Sequence, residues 1–454
     1  MLYPLACGRN PTGWSAMPAT GVVEMRRADF RPEWLTLDNA ARIYPAAISE
    51  WSPDVYRVFV TLRAPIRVSA LEEALQTVFP RFPYFQVHLR RGLFWYYLQR
   101  DDEIPEIHPL SSVPVSIMPA GRGIRHLLRV QARGATIAVD FSHVLTDGAG
   151  AIRFLGTLAT QYLLLLGIRI DSWEPFLDPR ESPSPGEYED AYNRYFEGGL
   201  PAPPELSSAY HLPQAAQPRC RVIAGRSPLS GMLDLARGHG VSLTEFLAAL
   251  YMHSLAQIRA SSGGGKHAAG SAVLRIEVPV DMRRFYQTET MRNFSLYVSP
   301  ELDLSLGAYS LDDIIQRVHH SMSMQVDRRE LARQIARNVR VEHNPLVRIM
   351  PLFLKDLLFL YLRERFGETP YSGVLSNLGK IVIPRDIEPY VESFGVILGP
   401  NPSMKTNCAM LSFRDDLYVN FNSVIESREL ERLFFTHIAK SGVPVNVSER
   451  SNVP

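Results

Sequence analysis

Apolar and polar residues alternate over 55–62, with Val58, Val60 and Leu62 on one face, and this period of two predicts a strand. The period then changes. Ser69 stands three residues ahead of Glu72, a capping box in front of Leu71, Leu75 and Val78, so a helix is expected until Pro80 and Pro83 stop it. Segments 84–89 and 93–98 flank Arg90-Arg91-Gly92 and predict a hairpin. Segments 127–132 and 136–141 flank Arg133-Gly134 and predict a second, whose outgoing strand runs straight into His143. A helix is expected over 149–167, opened by Ala149, Gly150 and Ala151.

The pattern then breaks. Prolines 175, 179, 183, 185, 201, 203, 204, 213 and 218 exclude a regular element there, apart from a short helix near 188–196. The second half restarts with similar grammar. Ser242 and Glu245 form a capping box before Phe246, Leu247, Leu250 and Leu255. Segment 261–270, with Gly263-Gly264-Gly265, predicts a flexible loop and lacks the Lys-Ser/Thr ending of a P-loop. Strands are expected at 272–280 and 294–302, and a helix over 311–325 behind Ser310. Segments 406–413 and 417–422 pair across Arg414-Asp415-Asp416, and Ser427 caps a last helix through Lys440, ended by Gly442. Strands and helices alternate in both halves, so the expected fold class is α/β with two similar sandwiches. The division is 1–30 a loose tail, 31–174 the first half, 175–225 a proline-rich crossover, and 226–454 the second half.

The length of 454 residues suits two domains of roughly 200 residues each. The 48 basic and 47 acidic side chains nearly cancel, which argues against a nucleic-acid partner. Cys7, Cys220 and Cys408 are scattered and show no C-x-x-C spacing, so neither a disulfide framework nor a zinc site is expected, and a reducing cytoplasm fits best. No H-E-x-x-H occurs, and the adjacent His319-His320 reads as surface; no metal site is expected. No transmembrane span is expected either. The nearest approaches are 151–168, interrupted by Arg153 and Gln161, and 349–362, which contains Lys355 and Asp356. Both read as buried or half-buried helices. For the second, a helix on a membrane surface or along a route for an apolar substrate is the sharper reading.

The chemistry concentrates in Phe141-Ser142-His143-Val144-Leu145-Thr146-Asp147-Gly148, an H-x-x-x-D-G pattern where a strand gives way to a helix. An imidazole there can take a proton from a hydroxyl or amine as that group attacks an acyl carbon. Asp147 either orients the imidazole or pairs structurally with an arginine; across a tight turn the structural role is favoured. Gly148 lets backbone or substrate approach closely. With no G-x-S-x-G elbow and no cysteine beside a motif, direct attack by the acceptor is simpler than a covalent intermediate. Taken alone, the pattern is short, and a polar histidine at a strand end is the alternative.

Its surroundings add to it. The motif resembles the H-x-x-x-D-G active-site motif of the CoA-dependent acyltransferase superfamily, which includes chloramphenicol acetyltransferase, the plant BAHD enzymes and condensation domains. Segments 35–45, 80–83, 91–97, 278–284, 292–294 and 376–379 are most similar to the bacterial alcohol acetyltransferase branch. The resemblance spans 33–440. It implies two chloramphenicol-acetyltransferase-like halves forming a pseudo-dimer with a channel between them, so that a monomer suffices. It implies His143 as general base, and Asp147 in a salt bridge with an arginine of the other half, Arg283 or its neighbour Arg284. It places Asn293, Ser376 and Asn377 along the substrate channel. Ser142 stands where condensation domains usually carry a second histidine, and the late D-F-G-W-G of BAHD enzymes is missing. The expected function is acyl transfer from acyl-CoA, acetyl-CoA foremost, to a small-molecule or lipid-like alcohol, with no bound cofactor. The alternatives are an amide-forming or carrier-protein-dependent transferase, and a non-catalytic protein that binds an acyl ligand or a partner.

Overall fold

The structure, a computed structural model, describes residues 32–49, 51–111, 115, 116, 118, 127–217, 220–262 and 271–449. The expected tail at 1–30, Cys7 and most of the glycine-rich loop lie outside the described residues. The first half runs β1 (Trp34–Thr36), β2 (Val55–Leu62), α1 (Val68–Val78), β3 (Val87–Arg91), β4 (Tyr96–Arg100), β5 (Ile107–Pro109), β6 (Leu128–Arg133), β7 (Thr136–Ser142) and α2 (Gly148–Leu165). Among its described residues the crossover holds a 3-10 turn, Pro185–Tyr188, and a short helix, α3 (Ala191–Arg194). Then come β8 (Arg221–Pro228), α4 (Leu229–Gly238), α5 (Leu243–Ser261), β9 (Val273–Asp281), β10 (Ser295–Val298), β11 (Glu301–Asp303), α6 (Leu311–Gln325), α7 (Arg328–His343), α8 (Pro345–Ile349), α9 (Leu352–Leu362), β12 (Gly373–Ile381), β13 (Val391–Ile397), β14 (Thr406–Phe413), β15 (Asp416–Ser423), α10 (Glu429–Lys440) and β16 (Asn446–Glu449).

Two large mixed sheets result, each with helices on its outer face, as the α/β expectation required. The first has the order β13-β2-β7-β6-β5. Tyr56, Val58 and Val60 of β2 pack with Leu71 and Leu75 of α1 and Phe154 and Leu158 of α2. The second has the order β10-β9-β12-β14-β15-β8-β16, with β11 also pairing β9. Its outer face buries Ile276, Met410 and Phe421 against Phe246 and Leu250 of α5, Ile314 of α6 and Phe434 of α10. A hairpin of β3 and β4 with β1 forms a third, small sheet.

The sheets do not respect the division at the prolines. β13 leaves the second half and pairs antiparallel with β2 of the first, Phe394 opposite Val60. Close approach makes this pairing possible: a side chain at Gly395 would begin 2.0 Å from Cζ of Phe59, its register partner. Ala409, Leu411 and Phe413 of β14 turn away from the helices and join the core of the first half. The two halves therefore share apolar surface.

Several local expectations shift. The Ser69–Glu72 capping box does not form, because α1 already starts at Val68 with Arg67 as its cap. Tertiary contact fixes that start: the Arg67 N–H donates to the Tyr162 hydroxyl of α2 at 2.9 Å. The first hairpin begins three residues late, since Phe82, Tyr84 and Phe85 are buried in the core as a turn. Pro300 splits 294–302 into β10 and β11. Pro351 likewise splits the 349–362 helix between α8 and α9. The last helix starts at Glu429, two residues beyond Ser427, whose hydroxyl accepts from the Glu429 N–H at 3.2 Å. The expected surface pair also differs in part: His320 is exposed, but His319 is half-buried against Glu245 at 3.2 Å. The capping box at Ser242 forms as read, and the helix behind Ser310 starts where expected, with a box to Asp313.

β7 carries the chain into His143, and a buried charge cluster holds it. Asp140, fully buried, accepts from Arg57 of β2 (2.6 and 3.1 Å), Arg129 of β6 (2.6 Å) and Gln131 (2.7 Å). Arg57, Asp140 and Arg129 are register partners across three adjacent strands. Removing the central carboxylate leaves two guanidinium groups facing each other with no counter-charge. Asp140→Ala should lower unfolding free energy by about 3–5 kcal/mol in denaturant titrations, and a change under ~1 kcal/mol would refute this role for the cluster.

Candidate active site

His143 follows the last residue of β7, where the chain must turn before α2 begins. Both of its backbone polar groups are fixed from other segments. Its N–H donates to the Asp54 carbonyl at 2.9 Å, and its carbonyl accepts from Asn293 Nδ2 at 2.9 Å. The imidazole stacks on Tyr44 (centroids 5.3 Å apart, 24° between planes) and leans on Tyr56 (4.5 Å, 35°). Burial lowers its pKa to about 4; Asp147 opposes the shift and Arg363 adds to it. The ring is therefore neutral at physiological pH and able to accept a proton.

Asp147 caps α2. Its Oδ1 accepts from the N–H groups of Ala149 (3.2 Å) and Gly150 (3.4 Å). Its Oδ2 accepts from Arg283 Nη1 (2.9 Å) and from the Phe294 N–H (2.8 Å). The carboxylate is committed to the helix end and to the second half, and it braces the loop rather than orienting the imidazole. Arg283 is held on every side, donating also to Asp281 Oδ1 (3.0 Å) and to the carbonyls of Thr290 (3.1 Å) and Arg292 (2.6 Å). Burial alone would lower its pKa, but the carboxylates of Asp147 and Asp281 prevail and hold it above its ordinary value. Arg284, the alternative partner, is exposed.

Gly148 answers to the opposite lobe. A Cβ there would lie 2.3 Å from Leu378 Cδ2 of β12. Asn293 is buried, and its amide donates to Asp38 Oδ2 (3.0 Å) as well as to His143, so it tethers the histidine loop. Asp38, in the 35–45 segment, is pushed up to about 6 by burial, against the attraction of Arg292. Ser376 lines the cavity from β12. Asn377 touches its edge, while its amide binds Thr244 Oγ1 of α5 and the Gly379 N–H, each at 2.8 Å.

These residues meet at one cavity of about 880 Å³ between the two large sheets, large enough for a small-molecule substrate. His143, Gly148, Arg283, Asn293, Ser376 and Asn377 all reach its wall. Cys220 and Cys408 do not. Burial pushes the Cys220 thiol up to about 12 and Cys408 higher still, so neither is a poised nucleophile. Among the described residues no group of three or more His, Cys, Asp or Glu could hold a metal ion, and no helix is long and apolar enough to cross a membrane.

Sequence reasoning missed four contributors. Tyr44 and Tyr56 sandwich the imidazole from segments about a hundred residues upstream. Arg363 donates to Asp54 (2.6 Å), Ser52 (2.9 Å) and Glu368 (3.0 Å), closing the cavity wall behind Tyr44. Glu277 also lines the cavity, and burial pushes its carboxyl up to about 7. Tyr44 lies in the 35–45 segment of the resemblance, and Tyr56 and Glu277 in expected strands, but no local pattern marked any of them as facing the cavity.

No protein-family model matches the chain, and a search of curated proteins finds no match. Solved structures do match. F. graminearum TRI101, in complex with coenzyme A and deoxynivalenol, aligns at 12% identity over 92% of this chain and 99% of that one, with a TM-score of 0.59. The TRI3 trichothecene 15-O-acetyltransferase of Fusarium sporotrichioides aligns at 12% identity over 89% and 93%, TM-score 0.53. The wax ester synthase/diacylglycerol acyltransferase of Marinobacter aquaeolei VT8 aligns at 12% over 90% and 100%, TM-score 0.51. The chain thus shares the two-lobed fold of these structures, the fold that the resemblance implied.

Asp147→Ala should leave Arg283 short of one carboxylate and the α2 cap empty, costing about 3–5 kcal/mol of stability. Asp147→Asn, which keeps an acceptor at the cap, should cost measurably less. Equal unfolding midpoints for the two variants would show that the charge pair matters little.

Proposed function

We propose that this protein is an acyltransferase that moves an acetyl or other acyl group from acyl-CoA to the hydroxyl of an alcohol. The observation that carries this reading is His143: a neutral imidazole on the wall of the inter-lobe cavity, fixed by backbone bonds from both sides. The acceptor hydroxyl gives its proton to the imidazole while its oxygen attacks the thioester carbonyl carbon. The tetrahedral oxyanion then collapses, the carbon–sulfur bond breaks, and the departing thiolate takes the proton back from the imidazolium. Proton transfer of this kind is worth about 10²–10⁴-fold. Asp147 and Gly148 act by placement, the first through Arg283 and the second by admitting Leu378. Asn293 holds the histidine loop, and Ser376 and Asn377 border the acceptor's path. Arg153, Arg284 and Lys380 also line the cavity, and cationic groups there suit the phosphates of a CoA donor. Two structural neighbours support the chemistry by their own descriptions, one as an O-acetyltransferase and one as a wax ester synthase.

α9 supports a small or lipid-like acceptor. Its Phe359 and Leu362 line the cavity, while the outer face of α8 and α9 leaves Leu346, Ile349, Phe353, Leu357 and Tyr361 61–71% exposed beside Arg348. This face would rest on a lipid surface through its apolar side chains, with Arg348 toward anionic headgroups. Phe353→Glu with Leu357→Glu should abolish co-sedimentation with anionic vesicles while thiol release with a soluble acceptor continues. Retained co-sedimentation would rule this face out.

Free thiol release from acetyl-CoA across a panel of alcohols and amines, run beside His143→Ala, tests the main reading. Acceptor-dependent release should fall about 10²–10⁴-fold in the variant. Equal activity would remove His143 as the base. Because its pKa lies near 4 rather than 6.5, kcat/KM for a neutral alcohol should stay level from pH 6 to 8 and decline only as pH falls toward 4. An inflection near 6.5 would show that burial does not control the ring.

A further inference from the structure

β9 alternates strictly. Leu274, Ile276 and Val278 enter the core beneath α5 and α6, so Arg275, Glu277, Pro279 and Asp281 turn to the other face. Three of these four are ionisable, and two are neutralised in place. Arg275 bonds to Glu301 and to the carbonyls of Ser207 (2.7 Å) and Pro370 (2.8 Å). Asp281 holds Arg283 at 3.0 Å. Among the described residues Glu277 has neither an ion pair nor a hydrogen bond, although it stands on the cavity wall.

The charges around it do not supply a partner. Arg363 is bound to Asp54 and Glu368, Arg42 to Glu342 at 2.7 Å, and Arg337 to Tyr297 (3.3 Å) and Asn338 (3.0 Å). Tyr44 and Tyr371, the remaining titratable neighbours, are neutral phenols, their pKa values raised by burial first and by Glu277 among lesser causes. Among the described residues no cation lies within ion-pair distance of Glu277, and burial pushes its carboxyl up to about 7. A half-buried carboxylate without a protein partner on a cavity wall is open to a cation brought by a ligand.

The cavity is also polarised. Glu277 is the register partner of Val374 at the start of β12, whereas Lys380 stands six residues further along that strand. At ~3.3 Å per residue the two ends are roughly 20 Å apart, shortened somewhat by the bulge between Asn377 and Lys380. Arg284 Nη2 lies 3.7 Å from where a side chain at Gly379 would begin, beside Lys380. The basic end suits a polyanionic donor; at the other end Arg42 and Arg363 are neutralised by carboxylates and Arg337 is held by Tyr297 and Asn338, so Glu277 is left for the acceptor.

We propose that Glu277 anchors a positively charged group on the acceptor, and that the acceptor class is an amino alcohol whose ammonium sits on Glu277 while its hydroxyl reaches His143. This rests on the acyl-transfer reading above. Asp281, whose partner Arg283 braces the histidine loop, is four residues from Glu277. Tyr44, whose ring stacks on the His143 imidazole at 5.3 Å between centroids, also feels the Glu277 charge, so both groups of the acceptor are served from the same wall. The ammonium is held and the hydroxyl is acylated.

Linear amino alcohols of graded length, each matched with the alcohol lacking the amine, test this with wild type and Glu277→Gln. Calorimetry reads binding and thiol release reads turnover. In wild type the best amino alcohol should bind about tenfold or more tightly than its matched alcohol, as a charged hydrogen bond predicts. It should also tighten as pH rises through about 7, while the amine stays protonated. Both the preference and its pH dependence should vanish in Glu277→Gln. Equal binding of the matched pair in wild type, or a preference that survives in the variant, overturns the inference. Thiol release with neutral alcohols but no amine preference would sink this inference alone. Glu277-dependent amine binding without release from any acyl donor would sink the acyl-transfer reading and keep the cation site.

Discussion

The contact between Asp147 and Arg283 is the constraint on which the site depends. One carboxylate caps α2, receives the Phe294 N–H and binds a guanidinium from the other half of the chain. That guanidinium in turn gathers Asp281 and the carbonyls of Thr290 and Arg292. Segment 281–294 is thereby clamped against the turn that presents His143. Such a pair gains little over an apolar one in free energy, because both ions lose their hydration. What it gains is registry, since the charges are satisfied in one arrangement of the two halves and exposed to a heavy desolvation cost in any other. Asn293 adds a second clamp of the same sense, joining Asp38 to the His143 carbonyl.

The same clamp encloses the cavity and gives its electrostatics their weight. Between the sheets, charges interact more strongly than at a surface. The imidazole is kept neutral there, which is the form a general base needs. Arg363 is surrounded by Asp54, Ser52 and Glu368, so its charge supports the wall instead of competing for substrate. Among the described cavity-lining residues, Arg284 and Lys380 stand toward one end of β12, and Glu277, without an ion pair, stands at the other.

Elements defined by local chemistry were legible in the sequence. Alternation located β2, turn signals located β7, β14 and β15, β9 was read as a strand, and the helices behind Ser242 and Ser310 start where read. Errors arose where a distant group overrode the local signal. The Tyr162 hydroxyl set the start of α1, and the buried aromatics at 82–85 delayed β3. The prolines at 300 and 351 carried legible warnings in segments read as continuous. Segment 326–405 was the least legible: β13 offers no sign that its partner is β2, more than three hundred residues upstream.

The division for the site follows the same physical line. His143, Asp147 and Gly148 were visible because they sit within six residues, and a turn from strand to helix needs a cap and a small residue at that spacing. The sequence also determined the two-halved α/β plan, through periodicity and the proline-rich break. Only the tertiary structure decided that Arg283 and not Arg284 meets Asp147, that Asn293 binds the histidine loop, and that Tyr44 and Tyr56 sandwich the ring. It alone placed Glu277 on the wall of the cavity. Each of these depends on which faces two separate sheets present to each other, and no local pattern of residues encodes the distance between them.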